Sequence, residues 1–278
     1  MKFDLHVTKS TITFFVSVFI IISAATYLPI SKPDFDIGPL FSSVSLLFGI
    51  LSGFAISILW GRQERVRDSL NDETGILYSI YYRAASIGTD FQKRLADFID
   101  AYLIPQLDYE LSEYETSRKS FVDLYNFVLN YDFKPKDNDS KKRMLELLER
   151  NLHNRVITSF HAKAKLVPYL SYSIYILGVI LLGLIFSMRE VSYVSTVITI
   201  LLSSTVVLVL LLINDLNEMR LWLNVFLETG INQVFDVIGK KRYYDWWLMN
   251  LHYQKPRPGE TYRVRRKGKI VEETAPVE

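Results

Sequence analysis

Four stretches of the sequence contain no Asp, Glu, Lys or Arg: Ser10–Ile30, Ile37–Gly61, Leu166–Met188 and Val191–Ile213. A hydrocarbon core about 30 Å thick needs roughly 20 helical residues, so each stretch is long enough to span it. Apolar residues make up 49% of the chain, and their concentration in blocks is the mark of a membrane protein rather than of a large soluble core. The first stretch follows Lys2 and Lys9 and contains Ala24-Ala25-Thr26, which resembles a leader cleavage site. Its apolar block outruns a typical leader core and a second span follows within a few residues, so an uncleaved helix is expected.

The basic flanks set the direction. Lys2 and Lys9 precede the first span, Arg62, Arg65 and Arg67 follow the second, Lys163 and Lys165 precede the third, and Arg220 follows the fourth. The opposite loops hold only Lys32 and Arg189. The positive-inside rule therefore predicts cytoplasmic N- and C-termini and a cytoplasmic middle segment. The predicted division is 1–61 for the first two spans with an external loop at 31–40, then 62–165 for a cytosolic helical insertion. Residues 166–213 form the last two spans, 214–255 a cytosolic or interfacial helix, and 256–278 a tail. Pro33, Gly38 and Pro39 mark the external loop as a turn between antiparallel spans.

The second span continues without proline into a charged, amphipathic sequence from Phe41 to Ala84. On a helical wheel its membrane part has a bulky side (Val44, Leu47, Leu51, Phe54, Ile58) and a small side (Ser42, Ser45, Gly49, Ser52, Gly53, Ile56, Trp60). Ser45, Gly49, Gly53, Ser57 and Gly61 form an unbroken i+4 row. Such a row permits close packing of helices in lipid; alternatively, part of that face lines water, and the wheel leaves both open. Beyond Trp60 a three-four apolar stripe runs through Val66, Leu70, Leu77, Tyr81, Ala84, Phe91, Leu95, Phe98 and Tyr102, with Pro105 as the expected stop. A helix from Phe41 to Leu103 would be roughly 95 Å long.

Two further amphipathic helices are expected, one from Leu107 to Val128 and one capped at Asp139 or Ser140 that carries Leu145, Leu148, Leu152, Val156 and Phe160. The latter is expected to run straight into the third span with a bend at Pro168. Leu221–Ile238 is apolar but holds Asn224, Glu228, Asn232, Gln233 and Asp236, so it reads as an interfacial or stalk-packed helix. Thr261–Arg266 and Lys269–Thr274 alternate around Lys267-Gly268 as a two-strand hairpin, which needs something to dock on.

The residues give little to an enzyme. There is no cysteine, none of the four histidines lies in a ligand motif, and there is no phosphate loop, zinc helix or nucleophile elbow. No catalytic residue is assigned, and a net charge of +2 gives no case for nucleic acid. Glu64 and Asp68, with Asp215 and Glu218 emerging from the fourth span at the same membrane face, are weak candidates for a cation site of the kind calcium prefers. A solvated, salt-bridged face is the ordinary reading of them. Basic residues of the inner face have an ordinary use in topology; some could also collect anions at a vestibule.

The run GILSGFAISILWGRQERVRDSLNDETGILYSIYYRA resembles the bestrophin-like bacterial membrane proteins, a group catalogued as a domain of unknown function. The likeness in element order covers about Thr11–Ile238: two spans, a long helical insertion, two spans and a helical return. Its most specific part is the small-residue span ending in arginine and followed by Asn71-Asp72-Glu73-Thr74-Gly75. The resemblance implies an all-α membrane protein with four transmembrane helices continuing into a cytosolic helical bundle, assembled as a homopentamer in the bacterial inner membrane. It implies conduction of inorganic anions with the second span lining the pore through Ser45, Gly49, Ser52, Gly53, Ile56 and Trp60, of which Ile56 and Trp60 are the bulky neck residues. Gln63 and Arg67 would continue that face as a vestibule. The sequence departs from bestrophins at Asn214–Glu218, which has no proline turn, and it lacks the acidic calcium clasp of the animal proteins. The alternative expectation is a non-conducting, membrane-anchored sensing or partner-binding module whose spans serve anchoring and oligomerisation.

Overall fold

A computed structural model describes residues 4–27, 36–108, 111–219, 222–244, 249, 255–266 and 269–277. Residues 31–35 of the external loop and the Lys267-Gly268 turn lie outside the described residues. Eight α-helices are described: α1 (Asp4–Tyr27), α2 (Gly38–Ile87), α3 (Thr89–Asp108), α4 (Arg118–Asn130), α5 (Asn138–Lys163), α6 (Pro168–Ser187), α7 (Tyr193–Glu218) and α8 (Trp222–Val237). Short 3₁₀ turns at Leu111–Ser117 and Pro135–Asp137 lead into α4 and α5. Three strands follow: β1 (Tyr243–Tyr244), β2 (Thr261–Arg266) and β3 (Lys269–Thr274).

The chain divides into two compact units, Met1–Arg62 with Lys165–Arg220, and Gln63–Ala164 with Leu221–Glu278. The first is the apolar unit. Among the described residues three helical stretches are long and apolar enough to cross a membrane, those containing α2, α6 and α7, and the apolar part of α1, Thr11–Tyr27, is shorter. The protein is a membrane protein whose apolar helices contact lipid. Helix α7 packs on both α1 and α6. Val44, Phe48, Ala55 and Leu59 of α2 share a core with Ile174, Leu181 and Ile185 of α6 and Val206 and Ile213 of α7. The helices approach closely at Gly178 of α6, where an added Cβ would lie 3.0 Å from Leu210 and 3.4 Å from Phe48.

Buried arginines close the helix ends of this unit. The last carbonyls of an α-helix have no partner within it, and a guanidinium can satisfy two of them. Arg62 donates through Nη2 to the carbonyls of Leu216 (3.2 Å) and Asn217 (2.7 Å) at the end of α7. Arg189 donates through Nη1 to the carbonyls of Ala24 (3.2 Å) and Ala25 near the end of α1. Asn217 also accepts the Leu166 backbone N–H through Oδ1 at 2.8 Å.

The polar unit is built on the second half of α2. Val66, Leu70, Leu77 and Ala84 are buried along it, and the stripe continues through Phe91, Leu95 and Tyr102 of α3. The break between the two helices falls at Gly88, not at Pro105. Gly88 has φ +153°, a conformation that L side chains rarely adopt. Pro105 is accommodated inside α3. Helix α2 thus has 50 residues, about 75 Å at the usual rise. The expected Leu107–Val128 helix is also divided: Leu107 falls at the end of α3, Leu111–Ser117 winds as the 3₁₀ turn, and α4 begins at Arg118.

Helix α5 departs further. Leu148 is buried, but Leu152, Val156 and Phe160 are exposed, and the inward face carries Met144, Asn151, Asn154, Arg155 and Thr158. Nor does α5 run into α6. Residue 164 is extended, Val167 has ψ 127° as the residue before a proline must, and Pro168 opens a new helix.

Helix α8 buries Ile231, Val234 and Phe235. An added Cβ at Gly230 would lie 3.5 Å from the Thr74 hydroxyl. Strands β2 and β3 pair antiparallel with Val264 opposite Val271, and β1 joins β2 in parallel. The sheet is fastened to α3 by two forked ion pairs, Arg263 with Asp100 (2.7 and 2.8 Å) and Arg265 with Asp108 (2.6 and 3.0 Å). The first pair is the more buried, with side chains 12% and 16% exposed.

Candidate ion pathway along the second apolar helix

Helix α2 advances about 100° per residue, so Val44, Phe48, Ser52, Ala55 and Leu59 fall on one row, and that row is buried against α6 and α7. Ser52 belongs to this row. It is 4% exposed, with its hydroxyl turned into the protomer. The buried row runs between the two wheel faces, which therefore flank it. Leu47, Phe54 and Ile58 on the bulky side are exposed, as are Gly49, Gly53 and Trp60 on the small side; Ser45 and Ile56 are half-buried at its edge.

The glycines separate two uses of a small face. An added Cβ at Gly49, Gly53 or Gly61 would meet nothing within 4 Å. These positions are not needed for helix contact inside the protomer, unlike Gly178. The space beside them is open to whatever lies outside the chain: lipid, a neighbouring chain or water. The Ser45 hydroxyl donates back to the Phe41 carbonyl at 2.7 Å, as hydroxyls in apolar helices do.

Beyond the apolar unit, Gln63 is half-buried and Arg67 exposed. Glu64 and Asp68 are exposed, while Asp215 and Glu218 are half-buried in the other unit. Glu218 pairs with Lys165 at 3.2 Å. Among the described residues no three His, Asp or Glu side chains gather as a metal-holding group.

The most strongly perturbed groups lie elsewhere, inside the polar unit. Glu73 is 3% exposed and accepts from the Tyr102 hydroxyl and from Gln106 Nε2 (3.0 Å) at Oε1, and from the Tyr114 hydroxyl at Oε2. Arg155 donates to the Tyr102 hydroxyl (2.6 Å) and to Ser117 Oγ (3.1 Å), and its guanidinium lies 4.7 Å from the Tyr114 ring centroid. Burial first, and then the nearby Glu73 carboxylate, push both tyrosine hydroxyls well above their ordinary pKa, so they remain donors. A signal for this cluster exists in the sequence: Glu73 falls on the apolar row Val66, Leu70, Leu77, where an acidic residue has to be paired.

The Bestrophin-like domain family matches residues 15–218. A tryptophan-to-alanine variant of a bacterial bestrophin homologue from Klebsiella pneumoniae superposes with TM-score 0.62 at 15% identity, over 84% of this chain and 98% of that one. A structure of a bacterial bestrophin homologue from Klebsiella pneumoniae phased on zinc gives TM-score 0.59 at 14% identity, over 84% and 99%. A membrane protein with a leucine-to-alanine substitution gives 0.61 at 13% identity, over 82% and 98%. No curated protein matches the sequence. At these identities the structures share a fold with this chain, and the family match covers most of its length, so the chain belongs to the bestrophin-like family.

Proposed function

We propose that this chain forms a homo-oligomeric, pentameric anion channel of the bacterial inner membrane, with four spans per protomer, cytoplasmic termini and α2 lining the pore. Ser45, Gly49 and Gly53 leave the conduit wide, and Ile56 and Trp60 narrow it into an apolar neck that gates by dewetting. Gln63 and Arg67 line the cytoplasmic vestibule. The observation that carries the proposal is the open space beside Gly49 and Gly53, on an exposed face that flanks the packed row of α2. Family membership supplies the prior for conduction, which fold by itself does not establish.

Chloride flux from proteoliposomes tests it. Wild-type protein should release chloride, and Ile56→Ala or Trp60→Ala should change the rate or the selectivity among halides. A purified monomer or dimer, which has no central axis, or wild-type protein that passes no ion in any condition, would instead favour a non-conducting anchored module.

A further inference from the structure

Helix α5 places Asn151, Asn154, Arg155 and Thr158 on its inward face, and the Arg155 and Thr158 side chains are engaged. Thr158 Oγ1 donates to Ser69 Oγ at 2.9 Å, and Ser69 Oγ donates to the Asn154 backbone carbonyl at 2.9 Å. Arg155 is held by Tyr102 and Ser117. The carboxamides are the exception. Asn151 is 0% exposed, with neither Oδ1 nor Nδ2 hydrogen-bonded, and Asn154, 7% exposed, leaves Nδ2 without a partner. Leaving a buried amide unpaired costs as much as several good contacts contribute, and native interiors avoid it.

The geometry points to a sealed water-binding site between Asn151 and Asn154, within the polar unit. The two side chains stand at i and i+3, hence on one helix face with Cβ atoms about 5–6 Å apart, a gap that one water bridges. The groups to be satisfied choose the ligand. Two amide N–H donors need an acceptor, and one amide oxygen needs a donor. A halide accepts only and would leave Asn151 Oδ1 unpaired. A metal cation takes oxygen only, and it would sit one turn from the Arg155 guanidinium. Water does both. Leu148 and Met144, both 0% exposed, close the face on the N-terminal side, and the unpaired amide atoms of Asn151 and Asn154 are themselves inaccessible to bulk solvent. The water completes a polar seam in which the Ser69–Thr158 pair already ties α2 to α5, and it is independent of ion conduction.

A high-resolution cryo-EM map of the full-length wild-type protein in detergent, with thermal melts of the same preparation, tests the site. Expected are a density peak within hydrogen-bond distance of both carboxamides and a Tm unchanged when gluconate replaces chloride. Asn151→Leu, which keeps the branching at Cγ and removes the polar atoms, should lower Tm by about 2–4 °C. Carboxamides packed against bare protein in the map, a Tm that rises in Asn151→Leu, or a melt that depends on chloride would each overturn the proposal. The map decides even if Asn151→Leu fails to fold.

Discussion

Glu73 is the side chain on which three buried donors of the polar unit, Tyr102, Tyr114 and Gln106, converge. Its two oxygens take three donors, so removing the carboxylate leaves Tyr102, Tyr114 and Gln106 facing one another with Arg155 still buried. Glu73→Ala should therefore destabilise the protein by about 3 kcal/mol in a denaturant melt, because breaking a buried charged network exposes the full desolvation penalty of what remains. Glu73→Gln, which keeps the shape, should cost less. Tyr102 and Tyr114 add a pH dependence. Their folded pKa values lie above the ordinary 10.0, so the unfolded chain loses those protons first as pH rises. The stability that they contribute is complete below pH 10.0 and is lost as pH climbs through the raised values, which tyrosinate absorbance followed alongside an alkaline melt should show. Part of this was legible in the sequence, since Glu73 interrupts an apolar row. Its partners were not, because Tyr102, Tyr114 and Arg155 come from α3, a 3₁₀ turn and α5, and no local pattern joins them.

At the scale of elements, the apolar stripes marked where helices run, and single residues decided where they end. The stripe from Val66 to Tyr102 is continuous in the sequence and is buried except at Tyr81 and Phe98, which are half-buried, yet the helix breaks at Gly88 within it. Proline in the last turns of a helix is survivable, whereas a positive φ cannot be carried through one. Gly88→Ala meets no steric obstacle from neighbours, so the expected loss of about 1–2 kcal/mol reports backbone strain alone and is read as a lower Tm. Gly178→Val should cost about 1–3 kcal/mol through contact with Leu210 and Phe48, while Gly53→Ala, which meets no neighbour, should not lower the Tm. Helix α5 was the element least legible from periodicity. Leu152, Val156 and Phe160 mimic a core stripe, but beside Met144 and Leu148 the true inward face carries the polar residues Asn151, Asn154, Arg155 and Thr158, which hydropathy does not register as buried. The hairpin was readable from its alternation. Its anchor on α3, through Arg263 and Arg265, needed the tertiary structure.

For the whole molecule, the apolar unit accounts for membrane residence, and the family match for the arrangement of its helices. What the proposal adds is that the small face of α2 meets water at the centre of an assembly. The chain's lack of cysteine makes this directly measurable, because a single introduced thiol is the only one that reacts. The decisive experiment is chloride flux from proteoliposomes containing Ile56→Cys or Gly53→Cys, before and after a charged, membrane-impermeant thiol reagent, with Leu47→Cys on the bulky face as the control. The account predicts that flux through Ile56→Cys and Gly53→Cys falls severalfold on modification, whereas Leu47→Cys is unaffected. Flux that persists while Ile56→Cys and Gly53→Cys resist the reagent would place that face against protein or lipid, and would contradict the claim that it lines the ion path.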